Sequence, residues 1–569
     1  MKLPKPNMLD RAIGFVSPKA QFSRMRYRAG LAVFDEAGYT IPSSNKRTMR
    51  GWNTSANTAD WDIVPKLFGM RAASRDLYMN TPVATAALRR LKTNAIGFGL
   101  QLQSQINRDV LGFSGDAGNQ TADEWEQHTE REFSLWANSD QCDAARSQWF
   151  ADLTGLTFLS MILSGDVFVA MVQVPRDGSA YDTRLVVVEA DYVCNPQFRA
   201  DNNTTAGGVE VDEFGAPVAY WFRKSTFANL LSSGPQISDK WERVLAFAPE
   251  SGRRQVLHLF AKERPGQRRG IPILAPVIEE LKQITRLSKA ELDAAVLNAY
   301  FTVFVKSATT VGPGLAEGFV PPTVGMPAGQ PGVSDKNAED PRDDAIYEMG
   351  SANIVEMMEG EEIQMADPKR PNQHFEPFYM AMVKQIGASI EVPFEQLLLH
   401  FQSSYSAARG ALQEAWKTYR SHRTFMTRYF CQPVYEEWLT EAILKGRISA
   451  PGFFADPLIR KAWSAAAWTG PGQGQLDPLK ETTAAALRID KRLSTHEDEF
   501  VAISGGDWTG AMNRLSREET HLESLDLQVQ PSSPAPANAN ENPDALDNNE
   551  QNETRRNQGT PPTEEDEEA

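Results

Sequence analysis

One stretch constrains the fold more than any other: from Tyr405 to Lys445 the chain keeps a continuous helical period. Ala408, Leu412, Ala415, Tyr419, Met426, Phe430, Val434, Trp438 and Ile443 recur at spacings that place them on one face of an α-helix. Pro433 falls inside the pattern. Proline lacks an amide hydrogen and its ring crowds the preceding turn, so the pattern predicts one very long helix with a kink at Pro433. A second long pattern runs from Pro272 to Tyr300, with Val277, Leu281, Ile284, Leu287, Leu292 and Val296 in step. At 1.5 Å per residue it would span roughly 43 Å. Its other face carries Glu279, Lys282, Arg286, Lys289 and Asp293. That face suits either the surface of a globular core or a helix packed against copies of itself.

Between these helices lies a breaker-rich excursion. Residues 311–334 hold six glycines and five prolines, the composition of an exposed loop. Apolar runs at Tyr300 to Val305 and Asn353 to Met357 flank it and are positioned to pair. Phe375 to Ile390 is helical again, with Phe378, Met382 and Ile386 in step, and Val392-Pro393 ends it. Upstream, Pro65 and Pro82 each open a helical run, the second ending at Gly97. Thr121 to Trp136 forms a helix capped by Thr121 with Glu124 at the third position, and Phe150 to Ser164 is a helix stopped by Gly165. Short β-branched and aromatic runs follow at Val167 to Val174, Leu185 to Glu189, Gly208 to Val211, Val218 to Phe222 and Val256 to Phe260. They predict a small mixed or antiparallel β region, with one hairpin across Val209 to Phe222. Pro478 to Arg488 and Thr495 to Ser504 are smaller helices. The fold class is mixed α+β, mainly α.

The chain has 569 residues, a length that suits three to four folded units. Its formal net charge is −16, from 74 acidic and 58 basic residues, which excludes a histone-like DNA coat. Residues 531–569 hold ten acids and two bases, or −8, with no aromatic residue. Such a segment cannot offset its chain entropy by apolar burial and is expected to be disordered. The opposite end is basic: Lys2, Lys5, Arg11, Lys19, Arg24, Arg26 and Arg28 face only Asp10. This is either a solvated tail or an arm for an acidic partner or nucleic acid. No apolar run is long enough to span a bilayer, so no membrane insertion is expected. Cys142, Cys194 and Cys431 are too few and too far apart for a disulfide framework or a zinc site.

The usual catalytic signatures are missing. There is no G-x-x-x-x-G-K-[ST] loop to cradle phosphates, no H-E-x-x-H and no G-x-S-x-G elbow. Gly97-Phe98-Gly99 lacks the third glycine of a dinucleotide fingerprint. The seven histidines are scattered, and His258, within an apolar strand, is best taken as a satisfied structural histidine. The expectation is a protein that is not an enzyme and has no metal, catalytic residue or cofactor.

Several blocks carry a resemblance. They are Asn80-Thr81-Pro82 through Asn94-Ala95-Ile96-Gly97-Phe98-Gly99; Trp136-Ala137 with Cys142-Asp143; Ser164-Gly165-Asp166-Val167-Phe168; and His258-Leu259-Phe260 with Arg264-Pro265-Gly266-Gln267-Arg268-Arg269-Gly270. Pro393-Phe394-Glu395-Gln396-Leu397-Leu398 and Tyr405-Ser406-Ala407-Ala408-Arg409 follow. In this order, over about Asp60 to Asp507, the chain resembles the portal proteins of tailed bacteriophages, in particular the lambda-type family.

The resemblance implies a portal fold with wing, stem, clip and crown, assembled as a ring typically of twelve subunits. It implies a passive channel at a capsid vertex of the virion, assembled in the bacterial host cytoplasm. Double-stranded DNA would enter under the terminase motor and later leave by the same route. The implied partners are further copies of the chain, the DNA in transit, the terminase large subunit, major capsid and scaffold proteins, and head-tail connector proteins. By position, 1–59 is a basic, partly flexible arm, 60–271 the wing, 272–300 and 375–396 the stem helices, and 301–374 the clip. Residues 397–404 are the tunnel loop, 405–446 the long kinked helix, 447–525 the C-terminal wing or crown, and 526–569 an acidic tail. Candidate DNA-channel residues are Lys282, Arg286 and Lys289 on the first stem helix, and Leu399, His400, Phe401, Gln402 and Ser403 in the loop. The alternatives are a solvated helix face or inter-subunit ion pairs for the first group, and a packed helix end for the second. Two other functions stand beside the conduit: a metal-dependent nuclease or hydrolase with a cryptic carboxylate site, and another minor capsid or connector protein.

Overall fold

A computed structural model describes residues 7–36, 55–223, 240–299, 303–307, 361–365, 375–400, 405–474, 477–506 and 508–525. Two helices come first, α1 (Met8–Val16) and α2 (Pro18–Glu36). Asn7 and Asp10 form a reciprocal capping box at the start of α1, and Asp10 also pairs with Arg24 of α2 at 3.0 Å. The body begins with α3 (Ala59–Asn80) and α4 (Pro82–Ala95). Pro65 does not open α3. Thr58 caps the helix, Asp60 and Asp62 occupy its first turn, and Pro65 sits inside it. Pro82 does take the first position of α4, where a missing N–H costs nothing.

Next come β1 (Gln101–Ser104), α5 (Arg108–Leu111), α6 (Gly115–Ala137) and α7 (Phe150–Ser164). Thr121 is not the cap of α6. The helix starts six residues earlier, and the Thr121 hydroxyl donates to the Ala117 carbonyl within it. The β region is β2 (Asp166–Gln173), β3 (Thr183–Glu189), β4 (Thr205–Ala206), β5 (Val209–Val211), β6 (Pro217–Arg223), β7 (Trp241–Leu245) and β8 (Val256–Phe260). It forms two antiparallel sheets, ordered β3-β2-β8 and β4-β5-β6-β7. β5 and β6 make the expected hairpin, while β4 is only two residues long and β7 places Glu242 and Arg243 side by side, which breaks the alternation that signals a strand.

β2 shows why its sequence is apolar on both faces. Val167, Val169 and Met171 enter the main core, while Phe168 points the other way into a second cluster with Val193, Val209, Tyr220 and Val256. A strand between two cores has no solvent face to mark with polar residues.

The helix expected over Pro272 to Tyr300 is shorter at its start. Residues 272–277 form tight turns, and the Ile273 amide donates to the Ile162 carbonyl, tying this stretch to α7. The helix proper, α8, is Ile278–Ala299. Beyond it β9 (Val303–Ser307) pairs antiparallel with β10 (Glu361–Met365). The partner of β9 is therefore 361–365; the stretch at Asn353 to Met357, like the insertion at 311–334, lies outside the described residues. The chain returns through α9 (Phe375–Ser389) and the short α10 (Phe394–Leu398).

The long pattern from Tyr405 is α11 (Tyr405–Met426), a π-helical turn over Thr427–Cys431, and α12 (Gln432–Leu444). Pro433 is the second residue of α12. Its ring would crowd the Tyr429 carbonyl in a regular helix, and the wide turn immediately before it opens that position. The last elements are α13 (Pro457–Trp463), β11 (Ala466–Thr469), α14 (Pro478–Asp490), α15 (His496–Ser504) and α16 (Trp508–Ser524). β11 pairs with β1, so Ser104 meets Ala466. The main core is aromatic where these parts converge: Phe133 meets Trp438 edge-on at 5.1 Å, and Phe150 stacks on Phe430 at 5.6 Å.

Candidate functional site

Three of the sequence blocks meet at one buried carboxylate. Asp166, the first residue of β2, is fully buried. Its Oδ1 pairs with Arg71 Nη2 of α3 at 2.5 Å, and its Oδ2 with Arg269 Nε at 2.5 Å. His258 Nε2 of β8 lies 3.2 Å from the same Oδ2, and the Gly270 amide donates to it at 3.3 Å. Arg269 spends its other hydrogens on the carbonyls of Val193, Gly207 and Ala190, and Arg71 donates to the Ser164 carbonyl at 2.9 Å. Burial alone would raise the Asp166 carboxyl, but the Arg269 and Arg71 charges overcome it and hold the group far below the usual carboxylate range. Burial lowers His258, and the two guanidiniums reinforce this against the pull of Asp166. The cluster is thus an ionised carboxylate, two arginines and a neutral imidazole, with its hydrogen bonds directed inward. That is the chemistry of a structural lock.

Gly165 and Gly270 make the lock possible. A Cβ on Gly270 would stand 2.0 Å from the Gly165 carbonyl oxygen, and Gly165 has φ +91°. Only glycine lets the two backbones approach so closely. The rest of the Arg264 to Gly270 block clamps the start of α3. Arg264 pairs with Asp62 at 2.7 Å, Arg268 with Asp60 at 2.5 Å, and the Gln267 side chain closes the turn by accepting from the Glu263 and Arg264 amides. The Cys142-Asp143 block is also structural. Asp143 accepts from the amides of Ala145, Ser147 and Gln148, and burial pushes the Cys142 thiol up to about 12.

The candidate channel residues occupy different places. Lys282 of α8 pairs with Asp76 of α3 at 3.1 Å, both side chains about half exposed, within a single chain. Arg286 and Lys289 are exposed on α8, one and two turns further along the same face. Leu397 and Leu398 complete α10 rather than opening a loop, and Leu397 is buried. The chain leaves the helix at Leu399, which has φ 54° and is 59% exposed. The His400 amide donates to the Glu395 carbonyl. Phe401, Gln402 and Ser403 lie outside the described residues. Gln396 ties α10 to α11 by accepting from the Tyr419 hydroxyl, and Thr418 of α11 donates to Glu391 at 2.9 Å.

Sequence reading missed several residues that hold these elements together. Arg423 of α11 donates to the Ala95 and Asn94 carbonyls at the end of α4 and to the Pro471 carbonyl. No described carboxylate pairs with it; burial, then Arg420, lowers it to about 10. Its role is a cation at a helix C-terminus. Glu441 of α12 accepts from the Asp182 and Thr183 amides at 2.6 and 2.9 Å, and Glu437 pairs with Arg253 at 2.8 Å. The signal for Arg71 was available: it stands at a core position of α3, in step with Ile63, Leu67 and Leu77. Among the described residues no group of three or more His, Cys, Asp or Glu side chains is arranged to hold a metal. Nor is any described helix long and apolar enough to cross a membrane.

Residues 45–423 match the family described as phage portal protein, lambda family. The chain belongs to that family. Among the relatives of this portal-family chain is portal protein B of Escherichia phage lambda, 23% identical over 499 residues, covering 84% of this chain and 89% of the relative. The portal protein of Escherichia phage N15 is 23% identical over 496 residues, covering 84% and 89%. A probable portal protein of Halomonas phage phiHAP-1 is 24% identical over 492 residues, covering 84% and 86%. Among solved structures, a chain in the virion of a native gene transfer agent particle has TM-score 0.38 and 13% identity, covering 83% of this chain and 98% of that one. A chain in the neck of that particle, computed with C12 symmetry, has TM-score 0.36 and 13% identity, covering 77% and 92%. Family membership makes this chain a phage portal protein, a structural component of a virion.

Proposed function

We propose that copies of this chain close into the ring at a capsid vertex, a passive channel through which double-stranded DNA is packaged by a terminase motor and later ejected. The observation that carries the reading, beside family membership, is the α8–α9 arm. α8 packs on α3 and α9, and its buried side chains, Leu281 and Ile284, lie near its start. Further out it exposes Leu292 by 64% and Val296 by 47%, and α9 exposes Phe378 by 55%. A lone chain leaves these apolar side chains in water; the next copy around an axis would cover them. A heterologous contact repeated by a closing rotation gives a ring.

In this reading 60–271 is the wing, α8 and α9 are the stem, and the β9–β10 pair with its excursion is the clip facing terminase and then the head-tail connector. With Leu397 and Leu398 closing α10, the tunnel loop is the stretch from Leu399 to residue 404; 405–446 is the long helix and 447–525 the C-terminal wing or crown. Capsid and scaffold proteins would hold the rim, in a particle assembled in the bacterial cytoplasm. A conduit must let DNA slide, and few cationic rungs on an acidic chain meet that need, since each neutralised phosphate adds salt-sensitive affinity. Arg286 and Lys289 are the stronger rung candidates; Lys282 is already engaged with Asp76.

Negative-stain electron microscopy of the purified protein tests the reading. Annular particles with a central hole are expected; a compact monomer under every assembly condition would overturn it. Deleting Leu399 to Ser403 should leave the annular particles intact and impair DNA packaging or retention. Normal packaging by the deletion variant would reject the loop assignment.

A further inference from the structure

A cleft of about 910 Å³ lies between α6, β1 and α16. Its lining includes Phe98, which is fully exposed, and Phe150, which is buried. Its walls carry Arg131 from α6 and Arg514 and Arg517 from α16. Arg131 donates to the Gln127 side chain at 3.2 Å, and Arg517 to the Asn513 carbonyl at 3.1 Å. None of the three guanidiniums makes an ion pair with a described residue. The single carboxylate of the lining, Glu130, accepts from the Ser104 amide at 2.8 Å. Three arginines around a single acid already bonded elsewhere make an anion-binding face, and guanidiniums match carboxylates in two-point geometry.

We propose that this cleft receives the acidic C-terminal segment of the same chain, residues 526–569, through its run Glu564 to Glu568. Two observations choose this occupant over nucleic acid. The first is charge. The segment from 531 holds ten acids against two bases and complements the three arginines, while the −8 on the rest of the chain opposes a long free duplex more than a short tethered segment. The second is tethering. The segment continues directly from α16, and Arg517 lies about 10 Å before the helix end at 1.5 Å per residue. About three extended residues at roughly 3.3 Å each are enough to retrace that distance, so docking is intramolecular at high effective concentration. The proposal does not depend on ring formation.

A photo-activatable phenylalanine placed at Thr563 of the full-length chain tests it. Cross-links should map to peptides from 127–138 and 509–517 at low salt. Replacing Arg131→Gln, Arg514→Gln and Arg517→Gln together should cut their yield about tenfold, the effect of losing about 1.4 kcal/mol. Replacing Glu564, Glu565, Asp566, Glu567 and Glu568 by their amides gives the same test from the other side if the arginine variant fails to fold. Cross-links that map elsewhere, or a yield unchanged by both variants, would overturn the proposal. So would loss of duplex binding in the arginine variant with the tail cross-links intact, which would make nucleic acid the occupant.

Discussion

Asp166 shows how one side chain decides the behaviour of two others. With it ionised, Arg71 and Arg269 are compensated; without it Arg269 keeps only backbone carbonyls and Arg71 keeps only Asp191, at 3.2 Å, as a carboxylate partner. Replacing Asp166→Asn keeps the shape and removes the charge. It should cost about 3–5 kcal/mol, the usual consequence of breaking a buried pair from one side. Urea denaturation reads this directly, and an unchanged midpoint would show that the cluster is not a lock. The pH dependence follows from the same cluster. His258 is lowered in the folded chain mainly by burial. Below its unfolded pKa of about 6.5 the unfolded chain takes a proton that the native chain refuses, so stability falls as pH drops, by up to about 1.4 kcal/mol per unit. His422, also lowered by burial, adds to the same slope. His258→Gln should therefore flatten part of the decline in melting temperature between pH 7 and 5.5; an identical slope in the variant would place the effect elsewhere. Asp166 works at the far end of the scale. Its depressed pKa supplies stability above the ordinary carboxylate range that is surrendered only in strong acid.

At the scale of elements, the close approach of the α7–β2 junction to the Arg264 to Gly270 block depends on two glycines. Gly270→Ala would drive a methyl against the Gly165 carbonyl and toward Phe260 Cβ at 2.8 Å. Such overpacking is expected to cost about 1–3 kcal/mol, seen as a lowered urea midpoint at unchanged slope. The long helix makes the opposite prediction. Its wide turn at Thr427–Cys431 is held on both sides by buried residues, Phe430 and Cys431 before Pro433 and Val434, Tyr435 and Trp438 after it. Pro433→Ala should therefore change stability by less than about 1 kcal/mol, because packing holds the register once the ring is gone. A loss above that in calorimetry would show that proline itself sets the geometry. The π turn was not legible in the sequence: periodicity cannot distinguish one extra residue in a turn from a bend. Helix starts were legible at Pro82 and Pro478, where proline takes the first turn, and misread at Thr121. Thr121 has the right side chain and the right partner three residues on, yet Ser114 precedes the actual first turn.

For the whole molecule, the stem reading makes Leu292 and Val296 assembly residues rather than core residues. Leu292→Gln with Val296→Gln should leave the melting curve of the unassembled chain unchanged and reduce the fraction sedimenting as rings. Normal assembly would remove these side chains from the interface. The sequence by itself determined the mainly helical α+β composition, the long helices, the β hairpin and the family blocks, because period, turn chemistry and short motifs are local. It also placed His258 as a structural histidine, since a histidine between apolar neighbours in a strand has no solvent to face. Only the tertiary structure decided that the blocks converge on Asp166, that β1 closes on β11 at the other end of the chain, and that Arg423 and Glu441 bind backbone from distant elements. Those contacts join residues from about a hundred to more than three hundred positions apart. Their energy comes from excluding water around opposite charges and free carbonyls, which no local pattern records.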